Sequence, residues 1–162
     1  MDDDGLMSIP EDEPGAAASA QRCVEVEREV ERLVREFEAC TLPGEHWTHE
    51  AHLTVALWYL MRHAEAEATQ LIRERIQRYN LSRGIEMTKD GGYHETITLF
   101  YIRVISRYLS GAGEAQTLAA LLDGLIAACG ARNFPFEYYS RERLLSWEAR
   151  THWLEPDLKS LD

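Results

Sequence analysis

The sequence predicts an all-α fold: a compact bundle of five to six helices behind a disordered acidic N-terminal tail. Three observations predict it. Apolar residues recur at helical spacing in five successive windows. Turn-forming residues, Leu42-Pro43-Gly44, Gly91-Gly92, Gly111 and Gly113, separate several of these windows. Thr96–Ile105 is the one stretch β-branched enough to read as a strand, and no second such run exists to pair with it. A chain of 162 residues suits one domain with a real core.

Residues 1–20 hold six acids and no Lys or Arg, then a Pro/Gly/Ala/Ser-rich stretch. They lack an apolar period, so they are expected to be disordered, and residues 21–162 to form the single helical domain.

Val26, Val30, Leu33, Val34 and Phe37 form one apolar stripe, which predicts a first helix over about Ala20–Cys40. Thr48 is the expected N-cap of the second, with Trp47 before it placed to pack on the first turns. Leu53, Ala56, Leu57, Leu60 and Met61 give that helix a wide apolar face ending near His63. A third helix is expected over about Ala64–Tyr79, with Leu71, Ile72, Ile76 and Tyr79 inward. Residues 81–92 read as a loop. A fourth helix, about Tyr93–Leu109, carries Ile97, Tyr101, Ile105 and Tyr108 on one stripe and is expected to be central. A fifth spans about Glu114–Cys129, and Ser140 caps a short last helix over about Arg141–Arg150.

The formal net charge is -11, but the tail contributes -6 and leaves -5 for residues 21–162. No Lys/Arg-rich block provides a nucleic-acid footprint. An anionic membrane surface would repel the chain. The longest uncharged stretch in mid-chain, Ala51–Met61, is far short of roughly 20 apolar residues. The N-terminus lacks a signal-peptide pattern. Cys23, Cys40 and Cys129 are an odd number at wide spacings, against a disulfide framework and for a reduced cytoplasmic setting.

The histidines carry the candidate chemistry. His46, His49 and His52 fall every third residue, and His49 and His52 share a face of the second helix near its start. The helix dipole disfavours imidazolium there, and neutral imidazole is the metal-binding form. His94, in Gly91-Gly92-Tyr93-His94-Glu95-Thr96, opens another helix. If the two helix starts meet, His49, His52 and His94 make a three-His metal site with an open position. Glu95 or Glu50 would serve as base or outer partner, and Tyr93, Thr98, Trp47 and Tyr101 would line the substrate space. Imidazole suits zinc and iron equally, so the divalent metal stays open. The pattern is neither the HExxH of zinc proteases nor the repeated Glu-x-x-His of diiron bundles. Each histidine also has a plainer reading, as a hydrogen-bonded cap or core residue.

The run Trp47–Leu53, the run Gly92–Thr96 and the ending Tyr139–Leu144 to Trp153–Leu158 together resemble a family of small uncharacterised bacterial helical proteins. The resemblance covers about residues 30–158. It implies no mechanism, but it ties the two His motifs into one unit.

The expected function is a metal-dependent enzyme acting on a small organic molecule: hydrolysis or hydration with zinc, oxygen chemistry with iron. The alternative is a non-catalytic helical ligand-binding or protein-interaction module. Neither nucleic acid nor membrane is expected as partner. The apolar faces of the first and fifth helices leave a homodimer open.

Overall fold

The computed structural model describes residues 14–113 and 115–162. Among them are seven helices and no strand: α1 (Pro14–Glu38), α2 (His49–Leu60), α3 (Glu65–Ser82), α4 (Glu95–Gly111), α5 (Leu118–Cys129), α6 (Arg141–Leu144) and α7 (Trp147–Thr151). Single turns of 3₁₀ helix lie at Gly44–His46 and Phe134–Glu137. The all-α expectation holds. Among the described residues no helix is long and apolar enough to cross a membrane.

The first difference is at the N-terminus. Helix α1 begins at Pro14, so residues 14–20, expected in the tail, are helical. Pro at the start and the following run of alanines are good helix formers, a signal that composition alone concealed. The rest of the expected tail, residues 1–13, lies outside the described residues. At its other end α1 stops at Glu38, because Cys40 takes a left-handed φ of 56°. Thr41 and Leu42 then both donate their backbone N–H to Glu36 O.

Helix α2 starts as its sequence predicts. Thr48 Oγ1 accepts the Ala51 N–H at 3.2 Å. Trp47 packs on His52 with ring centroids 3.8 Å apart and stacks on Phe37 at 4.4 Å. The residue before the cap thus meets the fourth helical residue, a hydrophobic staple in which one partner is an imidazole.

The central place expected for the fourth helix belongs instead to α2, which packs against α1, α3, α4 and α5. Ala51, Leu53, Thr54, Val55, Ala56, Leu57 and Tyr59 are all buried along it. A helix apolar on every side is a core helix, whereas α4 keeps one polar face. Tyr59 anchors the junction of three helices: its hydroxyl donates to Glu38 Oε1 of α1 at 2.5 Å, and Arg75 of α3 reaches both groups.

The later boundaries shift for local reasons. Helix α3 runs on to Ser82. Helix α5 begins at Leu118, not Glu114, because Thr117 Oγ1 caps it through Ala120 N–H at 3.2 Å. The expected last helix is two. Ser140 caps α6 through Arg143 N–H, and Ser146 caps α7 through Ala149 N–H at 3.1 Å. A second serine cap restarts the helix in a new direction. Thr96 then ties the C-terminal segment down, donating to His152 O at 2.6 Å and accepting Leu154 N–H at 3.1 Å.

Candidate functional site

The N-terminal ends of α2 and α4 do meet. They open on a cavity of about 550 Å³ walled by α2, α3, α4, the loop between α3 and α4, and the α5–α6 connection. Trp47, His49, His52, Tyr93, His94, Thr98 and Tyr101 all line it. Seven of the nine site residues expected from sequence therefore share one space. Leu53, Ala56, Ile72, Ile76, Ile97 and Ile102 make its apolar wall.

The remaining two lie elsewhere. Glu50 lines a second, shallower cavity on the opposite side of α2, with Glu29, Glu36 and Asp123. A helix turns 100° per residue, so the neighbour of His49 points away from it. Glu95 is 8% exposed, and its carboxylate is held at both oxygens. Arg73 bonds Oε1 at 2.6 Å and Oε2 at 3.2 Å, and the Tyr93 hydroxyl donates to Oε2 at 2.5 Å. Glu95 is a buried ion-pair anchor between α3 and α4 and does not line the cavity.

His94 is the residue whose role changes most. It is the N-cap of α4: its Nδ1 accepts the Ile97 N–H at 3.3 Å. Its Nε2–H donates to Leu144 O at 3.0 Å. Both ring nitrogens are used, one as acceptor and one as donor, so the tautomer is fixed by its partners. Burial pushes its pKa down to about 4, against the pull of the Leu144 carbonyl. To bind a metal, His94 would have to give up a cap or a buried carbonyl bond. Among the described residues no group of three His, Cys, Asp or Glu side chains could hold a metal ion. The three-His centre expected for zinc or iron is therefore not assembled here.

His49 and His52 remain open. His52 donates Nδ1–H to Thr48 O at 2.7 Å, which leaves Nε2 as an acceptor. Enclosure by its neighbours pushes its pKa down to about 4. Burial and the charge of Arg132 lower that of His49. Its Nε2 stands 3.5 Å from the Tyr101 hydroxyl, a contact at the outer limit of a hydrogen bond. Both shifts favour the neutral imidazole at pH 7, the form that accepts a hydrogen bond.

Three lining residues were missed from sequence. Asn80, near the C-terminal end of α3, is 9% exposed, and its side-chain amide makes no hydrogen bond to a described residue. Arg132 stands exposed where the α5–α6 connection borders the cavity. Arg150 of α7 is 7% exposed and binds the carbonyls of Lys89, Gly91, Gly92 and Tyr93. No spacing pattern marks any of them, because each comes from a different element. Gly91-Gly92 serves the loop. Gly92 takes φ 79°, and a Cβ there would lie 2.5 Å from Glu86 O.

Comparison with protein-family models, curated proteins and solved structures finds no match to this chain.

Proposed function

We propose that this protein binds a small, largely apolar organic molecule in the cavity between α2, α3 and α4. The observation that carries the reading is Asn80. Its side-chain amide makes no hydrogen bond to a described residue and is open to the cavity, so it is free to bond a ligand. Here it lines a concave space large enough for a small ligand. A ligand that bonds to the amide takes the place of solvent there. His52 Nε2, His49 and the Tyr101 hydroxyl supply further orienting groups around apolar walls.

The test is titration calorimetry with a bicyclic aromatic probe, offered as 2-naphthoate and as 2-naphthalenemethanol. Saturable binding of either, abolished when Ile97→Trp fills the cavity, is the expected result. No saturable binding, or binding indifferent to Ile97→Trp, overturns it.

A second reading keeps the metal-dependent enzyme. It is favoured by one observation: His49 and His52 face the same cavity as neutral imidazoles. It must find its remaining ligands in water or substrate, since His94 is engaged. Zinc or iron(II) bound stoichiometrically, and lost in His49→Ala, would favour this reading. A metal-free protein whose melting ignores both ions would leave the first.

A further inference from the structure

We infer that the molecule taken up by this cavity is an organic anion, a carboxylate on an apolar body, with its charge drawn to the guanidiniums of Arg132 and Arg150. The inference rests on the reading of the cavity as a ligand site, and it goes beyond that reading by fixing the charge.

Arg132 and Arg150 line the cavity, and neither has an ion pair with a described carboxylate. Arg150 is the stronger observation. It is 93% buried, and a buried cation ordinarily needs a carboxylate beside it. Its Nε and Nη1 are spent on four backbone carbonyls. Its Nη2 makes no hydrogen bond to a described residue. Arg132 makes no hydrogen bond to a described residue at all, and its charge is felt by His49. Among the described lining residues Asp90 is the sole acid. Asp90 stabilises the charge on Arg150 without contacting it closely enough to form an ion pair. The lining imidazoles are neutral, so two cations stand against one anion inside a chain of net charge -11. A monoanion brings that balance to neutrality. The walls are otherwise mostly aliphatic and aromatic, with few polar groups, which fits a carboxylate on an apolar body better than a dianionic phosphate on a polar one.

The experiment compares 2-naphthoate with its neutral counterpart 2-naphthalenemethanol by titration calorimetry, on the full chain and on Arg132→Gln. Arg132 is exposed and unbonded, so the variant keeps the fold. The expected result is tighter binding of naphthoate by roughly tenfold, with that preference reduced by roughly fivefold in Arg132→Gln and weakened by salt. If the alcohol binds as well as the acid or better, the charge assignment falls and the cavity remains a ligand site. A preference for naphthoate that Arg132→Gln leaves unchanged overturns the assignment to these guanidiniums. If neither compound binds, the cavity reading falls with it.

Discussion

His94 donates its Nε2–H to the carbonyl of Leu144 at 3.0 Å while its Nδ1 caps α4. One imidazole thereby joins the start of α4 to the end of α6. A histidine that read as one of three metal ligands in sequence is committed instead to holding the cavity wall in place.

That commitment predicts an asymmetric pair of variants. His94→Ala removes the cap and leaves a buried carbonyl unmatched, at a cost of about 2–3 kcal/mol. His94→Asn keeps an oxygen that can cap α4 and costs less. Urea denaturation of the two variants measures the difference. Equal stabilities would show that the cap bond contributes nothing.

Acid should weaken the fold before any carboxylate titrates in the unfolded chain. His52 and His94 have folded pKa values near 4, below the ordinary 6.5. The unfolded chain therefore binds more protons between those values. Their contribution to stability is complete above about pH 6.5 and declines as pH falls toward 4, a loss on the order of a few kcal/mol for the pair. Denaturation midpoints measured from pH 7.5 to 4.5 should fall. The fall should shrink in His94→Asn. A flat profile across that range would contradict the burial of both rings.

Arg150 holds the loop before α4 by its bonds to Lys89, Gly91, Gly92 and Tyr93. Arg150→Met should release that loop. Amide hydrogen exchange across residues 84–93 should quicken, with a stability loss of about 3 kcal/mol. Gly92→Ala should act on the same loop through backbone strain at φ 79° and the close Glu86 carbonyl. Unchanged exchange in both variants would mean that the loop is held by something else.

Asn80 should behave as a residue placed for binding, with little part in stability. Asn80→Leu removes an amide that bonds no described residue and should change stability by about 1 kcal/mol at most. The same change should weaken binding of the naphthalene compounds. A large destabilisation would show that the amide is already satisfied within the protein.

Much of this was legible in the sequence. The 3.6-residue period of α1 through α5 and the Thr48 cap follow from local chemistry, whereas the meeting of the two histidine-bearing helix starts entered the sequence reading only as a condition. The start of α1 was obscured by the acidic residues before it. The Thr117 cap stood directly before the apolar run Leu118–Leu122 and could have been read as a helix start, whereas Ser146 is followed by the mixed Trp147-Glu148-Ala149-Arg150 and had no such mark. In the site, spacing placed His49 and His52 together correctly. It could not reveal that Leu144, 50 residues on, would claim His94. Nor could it reveal that Arg73 would claim Glu95 from the neighbouring helix. Asn80, Arg132 and Arg150 converge only through tertiary packing, so no local pattern announces them.

The cavity between α2, α3 and α4 is the centre of the account, and amide chemical-shift mapping with 2-naphthoate tests it most directly. The account predicts saturable shifts clustered at His49, His52, Asn80, Ile97 and Tyr101, with Glu50 and the opposite side of α2 unmoved. Shifts scattered over the surface, or centred on the second cavity beside Glu50, would contradict it.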